Sequence, residues 1–294
     1  MATELAFIVN PISGKRLKGP ERVARVRAFV EAQKLNAVVW PTERAGHAPE
    51  LAQRALEQGV KRLVAVGGDG TINEVGRMIV GSPCEFGLVP MGSGNGLARH
   101  IGIPLEFERA LKLAATGSAI KVDTGEANGR PFFNVMGIGF DAEVGRRFNE
   151  TEGRGLMNYM REGWKAFRGY RSLECDIETN LGSKSLSAYI VAVANSSQYG
   201  SNAFIAPDAS MTDGKLNLVA IAEPNFLSFF ILIWRMFSKK LYHSPRVTPI
   251  CAESFTLRMK DGGFFHVDGE IFKCGKNLTV KACPKSLRIV AMTC

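Results

Sequence analysis

Residues 67–74 read Gly67-Gly68-Asp69-Gly70-Thr71-Ile72-Asn73-Glu74 and follow directly on the apolar run Leu63–Val66. Bare backbone around one carboxylate makes a turn that a polyphosphate can approach closely. Glycine lacks the Cβ that would block the ligand, and it tolerates positive φ. Successive backbone N–H groups in such a turn cradle phosphate oxygens. Asp69 has the wrong sign to hold phosphate itself, so this reading gives it a metal ion or a hydroxyl proton. The combination points to phosphoryl transfer. A second glycine-rich run, Pro90-Met91-Gly92-Ser93-Gly94-Asn95-Gly96-Leu97-Ala98-Arg99, offers close backbone approach and polar groups at Ser93 and Asn95. Two more segments are candidates. Asn10-Pro11-Ile12-Ser13-Gly14-Lys15 carries a cation that could neutralise phosphate, and Thr42-Glu43-Arg44-Ala45-Gly46-His47-Ala48 reads equally as a capped helix start.

The elements that must position these turns alternate. Strands are expected at Leu5–Val9, Ala37–Trp40, Leu63–Val66 and Phe86–Val89, with helices at Glu21–Lys34, His47–Gln58 and Thr71–Val80. That alternation implies a parallel sheet with helices on both faces, whose ligands sit beyond the carboxyl ends of the strands. All four candidate turns follow strands, so they gather on one sheet edge.

After about Val122 strand-like runs dominate: Phe132–Val135, Cys175–Glu178, Ala188–Ala194, Leu216–Ile221, Ser254–Met259, Phe264–Val267, Asn277–Val280 and Leu287–Ala291. Turn signals such as Asn128-Gly129, Asp213-Gly214 and Asp268-Gly269 separate them, which suggests an antiparallel sandwich or barrel. Helical stretches interrupt near Leu156–Phe167 and Phe226–Phe237. The second reads first as a buried helix. The alternative, given Lys239 and Lys240 behind it, is a membrane-surface element.

The 294 residues suffice for two domains, and 46% apolar content is ordinary for a globular core. A net charge of +9 favours acidic partners. The basic residues form no run of five and do not interleave with aromatics, which argues against nucleic acid. The six cysteines lack Cys-x-x-Cys spacing and read as reduced thiols of a cytosolic protein. His47, His100, His243 and His266 show no metal spacing, and solvent-facing or helix-end roles are expected. No apolar run reaches the roughly 20 residues of a membrane span. The expected location is the cytoplasm, peripheral to the membrane.

Together Asn10-Pro11-x-Ser13-Gly14, Gly67-Gly68-Asp69-Gly70-Thr71-x-Asn73-Glu74 and Pro90-x-Gly92-Ser93-Gly94-Asn95 with Leu97-Ala98-Arg99 resemble the diacylglycerol kinase catalytic-domain family, which includes bacterial lipid kinases and the sphingosine and ceramide kinases. The resemblance continues through Phe133-Asn134, Gly137-x-Gly139-Phe140-Asp141-Ala142, Ala206-Pro207, Asp213-Gly214 and Val267-Asp268-Gly269-Glu270. It therefore covers nearly the whole chain. The Gly-Gly-Asp-Gly-Thr element alone is shared with NAD kinases and phosphofructokinases.

The resemblance implies a Rossmann-like, NAD kinase or diacylglycerol kinase-like α/β nucleotide domain over 1–122. It implies a β-rich lipid-substrate domain over 123–294, whose last residues can pack back on the first, with the active site between the two. It implies ATP contacts among Asn10, Ser13, Thr42, Gly67, Gly68, Asp69, Gly70, Thr71, Asn73, Gly92, Ser93 and Asn95. The catalytic carboxylates would be Glu270 as proton acceptor, Asp268, and Asp69 as organiser of Mg2+ or itself a base. A separate structural Mg2+ would sit at Ser210, Asp213 and Lys215, with oxygen ligands that suit it. Asp141 would support the cleft.

Two features modify this picture. Ser93-Gly94-Asn95-Gly96 is closer to sphingosine kinases than to the Thr- and Asp-containing form of many bacterial members. Glu143 occupies the position where sphingosine kinases read the substrate amine. The expected activity is ATP-dependent phosphorylation of a lipid hydroxyl, with diacylglycerol as default acceptor and a sphingoid base or ceramide next. NAD kinase and a non-catalytic nucleotide- or lipid-binding module are the rivals. A homodimer is compatible with the sequence.

Overall fold

The structure is a computed structural model and describes residues 4–14, 19–149 and 170–292. Lys15 and the expected helix at Leu156–Phe167 lie outside the described residues. The chain divides into two compact units, Met1–Val122 with Lys285–Cys294, and Asp123–Pro284.

The first unit alternates as its apolar runs require. Its elements are β1 (Leu5–Val9), α1 (Gly19–Ala32), β2 (Ala37–Pro41), α2 (His47–Glu57), β3 (Arg62–Gly67), α3 (Asp69–Ile79), β4 (Glu85–Pro90), α4 (Gly96–His100) and α5 (Phe107–Thr116). The sheet runs β2-β1-β3-β4, parallel throughout. β1 is buried along its whole length and β3 from Leu63 onward, as the continuous Val/Leu/Ile runs of a two-sided parallel sheet should be. The register pairs Val9 with Val66 and Val66 with Val89. The carboxyl ends of β1, β3 and β4 are therefore level, and the turns that follow them share one edge. The chain's last strand supplies a further parallel neighbour, pairing Arg288 with Glu85 and Ile289 with Phe86.

The second unit holds β6 (Arg130–Phe132), β7 (Val135–Gly139), α6 (Phe140–Asn149), β8 (Leu173–Thr179), β9 (Gly182–Ala188), β10 (Ile190–Ala194), β11 (Leu216–Ile221), α7 (Phe226–Phe237), β12 (Val247–Ala252), β13 (Ser254–Met259), β14 (Gly263–Val267) and β15 (Glu270–Cys274). β5 (Ala119–Ala127) leads into it, and β16 (Asn277–Val290) leads out. One antiparallel sheet orders β12-β11-β10-β7-β14-β15; the other pairs β16, β13, β8 and β9. Phe132, Met136, Val191, Leu218, Phe255 and Phe265 belong to their common core. The expected α/β domain with a parallel sheet and the β-rich sandwich are both present.

Several boundaries differ from the sequence reading for identifiable reasons. The strand expected at Phe132–Val135 is interrupted, because the amides of residues 133–135 donate to the Asp268 carboxylate. The two runs at 277–280 and 287–291 form one strand. β9 is polar and exposed over residues 182–185, so no apolar alternation announced it. Phe226–Phe237 is helical as expected, yet the buried reading fails: only Leu232 is buried. Asn225 caps that helix, its Oδ1 accepting from Ser228 N at 2.8 Å.

Candidate active site

In the first unit three turns lie against one another. Asn10 Nδ2 donates to Thr71 Oγ1 at 2.8 Å, tying the first turn to the third. A Cβ on Gly14 would overlap the Met91 carbonyl oxygen, so the first turn also abuts the fourth. A Cβ on Gly92 would lie 3.0 Å from the Gly68 Cα and 2.9 Å from Asn95 Oδ1, so the two glycine-rich turns pack backbone on backbone. Gly67 has no room for a Cβ beside the Thr71 side chain.

Positive φ is not what Gly67, Gly68 and Gly92 need. Among the first, third and fourth turns it occurs at Gly14 and Asn95, and at none of Gly67, Gly68 or Gly70. Close approach is the requirement at Gly67, Gly68 and Gly92. Gly70 is exposed and would admit a side chain.

Asp69 has an occupation that the sequence reading left out. Its Oδ2 accepts from Asn95 N at 2.8 Å and its Oδ1 from Gly96 N at 2.9 Å. The carboxylate pins the fourth turn to the start of α3. Two charge-assisted backbone bonds give an acid a structural reason to stand here, beside the metal or proton role expected from the sequence. Asn95 turns inward too. Its Oδ1 accepts from Gly92 N and its Nδ2 donates to Gly92 O, both at 2.9 Å, so its amide closes the turn.

Ser93 is exposed on the same turn, and Thr42 and Thr71 are nearly buried. Asn73 is 5% exposed, and its Oδ1 has no hydrogen-bond partner among the described residues. Ser13 and Asn10 offer their carbonyl oxygens to the fully buried Arg22 of α1. Burial lowers the Arg22 pKa. Arg22 was missed because a single cation on an amphipathic helix reads as surface. Its only signal was a position on the apolar face with Val26.

In the second unit the Asp268-Gly269 hairpin has φ of 50° and 88°, the two-residue turn that such a dipeptide favours. Asp268 accepts from Phe133 N, Asn134 N and Val135 N at 2.8, 2.8 and 3.0 Å. A carboxylate engaged by three amides clamps this turn to the chain ahead of β7. Glu270 begins β15 and is exposed.

Behind this turn His266 Nε2 meets Asp141 Oδ2 at 2.7 Å, and Tyr199 OH donates to the same oxygen at 2.7 Å. Both members of the pair are nearly buried, at 5% and 7% exposure. Burial opposes charge on His266. Asp141, with Asp268 beyond it, outweighs that and raises the pKa above its ordinary value. Gly269 N reaches His266 Nδ1 at 3.4 Å, linking the pair to the turn. A Cβ on Gly137 would meet His266 Nε2 at 2.5 Å, so Gly137 is required by the pair. The expected solvent-facing role of His266 is corrected. No alternation in β14 announced this, since Phe265, His266 and Val267 are all buried, and only the fold supplied Asp141.

Glu143 is committed. Its two oxygens take Arg146 Nε at 3.0 Å and a terminal nitrogen at 2.9 Å, one helical turn away. A substrate amine read by Glu143 would have to compete with that cation. A cavity of about 390 Å³ is lined by residues including Ile138, Glu143, Tyr170, Leu173, Met259 and Phe264. Burial first, then Glu143, pushes the Tyr170 hydroxyl up to about 12.

The Ser210–Lys215 turn is held by a bond of its own, Lys215 N to Asp213 Oδ1 at 3.0 Å, and by one to a distant residue, Gly214 N to Asp123 Oδ2 at 2.7 Å. Asp213 and Lys215 are exposed. Among the described residues no three His, Cys, Asp or Glu side chains gather as a metal site. The five described cysteines are free thiols.

A parallel α/β unit whose glycine turns lie on one sheet edge, joined in one chain to a β-rich unit, is an architecture suited to a phosphate-bearing ligand. Residues 4–127 match the family described as diacylglycerol kinase catalytic domain, and residues 134–291 the one described as YegS C-terminal NAD kinase beta sandwich-like domain. The chain belongs to the diacylglycerol kinase catalytic-domain family of lipid kinases.

It is 28% identical over 284 residues to a protein named probable lipid kinase YegS-like from Klebsiella pneumoniae, covering 94% of this chain and 93% of that one. It is 27% identical over 252 residues to lipid kinase YegS of Escherichia coli K12, covering 83% and 82%. A solved diacylglycerol kinase structure from Bacillus anthracis shares the fold at TM-score 0.78 and 18% identity, over 99% of this chain and 97% of that one.

Proposed function

We propose that this protein transfers the γ-phosphate of ATP to the hydroxyl of a membrane lipid, with diacylglycerol or a close relative as acceptor. The observation that carries the reading is the backbone-on-backbone contact of the Gly68 and Gly92 turns, closed by Asp69, at the carboxyl edge of a parallel sheet. It leaves a surface of amides and small residues suited to a polyphosphate. The first unit would hold the nucleotide through the 67–71 and 92–96 turns, with Ser93, Thr42 and Asn73 as polar contacts. The second unit would hold the acceptor, and the apolar part of the cavity lined by Ile138, Leu173 and Phe264 suits an acyl chain.

In the reaction the lipid hydroxyl oxygen attacks the γ-phosphorus, and its proton passes to the Glu270 carboxylate. The bond to the β–γ bridging oxygen breaks and ADP leaves. Asp69 and Asp268 position the turns and stay out of proton transfer. Asp213, with carbonyl oxygens of Ser210 and Lys215, offers an oxygen-only set with one carboxylate, which fits the chemistry of a largely hydrated Mg2+. That ion would be structural, whereas a second Mg2+ travelling with the nucleotide would supply charge neutralisation at the phosphates. No described helix is long and apolar enough to cross a membrane, so a lipid acceptor would be met at the bilayer surface.

The pairing of Glu143 with Arg146 favours a neutral acceptor over a sphingoid amine. The test is incubation with radiolabelled ATP against vesicles of diacylglycerol, ceramide or sphingosine, and against NAD. Label in phosphatidic acid is the expected result. Label in NAD, or in none of the four, overturns the reading.

A further inference from the structure

α7 carries large apolar side chains that are exposed to solvent. Leu227 is 68% exposed, Ile231 41%, Trp234 59% and Phe237 39%. Phe226 and Phe230, whose rings meet edge to face at 5.3 Å, flank them on the same arc. The spacing by threes and fours puts all six on one side. The opposite side anchors the helix. Leu232 packs with Ile205, Val219 and Leu241, and Phe229 packs against the cluster of Phe140 and Tyr189. Isolated exposed leucines need no explanation, but a contiguous aromatic and aliphatic patch on one short helix does.

Charge selects the occupant. Between Glu223 and Glu253 the chain has no acidic residue, while Arg235, Lys239, Lys240 and Arg246 fall in that interval. Lys240 and Lys239 are exposed immediately after the helix. Lys240 Nζ lies 5.7 Å from the Trp234 ring centroid, so a cation stands at the rim of the apolar face. A helix with bulky apolar residues on one side and cations at its end is built to lie in the headgroup layer. There Trp sits at the polar–apolar boundary and Lys meets anionic lipid.

We propose that α7 is a docking element by which the protein lies on the surface of an anionic bilayer. Leu227, Ile231, Trp234 and Phe237 enter the acyl boundary, and Lys239 and Lys240 meet the headgroups. The inference deepens the lipid-kinase reading and rests on it for its biological sense, but it is tested separately.

The test is flotation with vesicles of phosphatidylcholine alone or mixed with phosphatidylglycerol. It uses the full chain, Leu227→Glu/Trp234→Glu, and Lys239→Glu/Lys240→Glu. These side chains are exposed, and thermal melting checks that both variants keep the fold. The wild type is expected to float with the anionic vesicles, about tenfold more strongly than with neutral ones, and less so at high salt. The apolar variant should lose about tenfold with both vesicles, and the lysine variant should lose only the anionic preference.

Turnover of a short-chain diacylglycerol dissolved below its micelle concentration should be the same in all three proteins. Wild type that turns over this acceptor yet does not float overturns the docking proposal and leaves the kinase reading standing. Wild type that floats as described but phosphorylates no lipid supports docking and sinks the kinase reading. A wild-type dimer that the Leu227→Glu/Trp234→Glu change splits, with no vesicle binding, would assign the face to a second copy and overturn the proposal.

Discussion

At the residue scale three carboxylates divide between two situations. Asp69 and Asp268 each spend their charge on backbone amides: two for Asp69, three for Asp268. Glu270 is an exposed acid at the start of a strand. Hydrogen bonds to a charged acceptor contribute about 1.5–3 kcal/mol each, so Asp268→Ala should lower stability by about 3 kcal/mol, because its three donors lose their acceptor. Glu270→Gln should leave stability within about 0.5 kcal/mol of wild type while abolishing most turnover. Urea unfolding beside a kinase assay reads both. Equal stability loss in the two variants, or normal turnover in Glu270→Gln, would reverse the assignments.

Between elements, the His266–Asp141 pair fastens β14 to α6, and Tyr199 locks the same oxygen. The folded His266 pKa lies above its ordinary value of 6.5. A group of this kind contributes stability that is fully present below the unfolded pKa and is lost as pH rises through the folded one. The protein should therefore lose stability as pH climbs from about 6.5 upward. His266→Gln should be less stable than wild type by about 2 kcal/mol at low pH, with a gap that narrows as pH rises. Unfolding midpoints of both proteins across pH 5 to 9 test this. A gap independent of pH would mean that the imidazole is neutral throughout and serves only as a hydrogen-bond partner.

At the scale of the whole molecule, one strand serves two units. β16 pairs β13 over residues 277–281 and β4 at residues 288–289. Leu287, Ile289 and Val290 are completely or almost completely buried in the first unit, although they are nearly the last residues of the chain. Ile289→Ala should cost about 3 kcal/mol, the usual loss for a large-to-small change in a core. The effect should appear in whichever unfolding transition involves the first unit, followed by fluorescence of Trp40. A tail that contributes nothing would leave that transition unmoved.

Much of the α/β unit was legible because continuous apolar runs such as Leu5–Val9 and Leu63–Val66, each stopped by a turn residue, admit little but buried parallel strands. The Asp268-Gly269 hairpin was legible as a turn for the same local reason. Polar β9, the split between β6 and β7, and the partner of His266 were not. β9 is solvent-facing and pairs only with its neighbour β8, so it carries no apolar signal, whereas the other two depend on residues far away in sequence: Asp268 claims the amides at 133–135, and Asp141 stands 125 positions before His266. Sequence determined which residue types could meet a phosphate and in what order the elements run. Only tertiary structure decided that Asp69 and Asp268 are fastened to backbone, that Glu143 is paired, and that α7 keeps its apolar face in water. Such outcomes follow from which groups become neighbours, and neighbours distant in sequence leave no local trace.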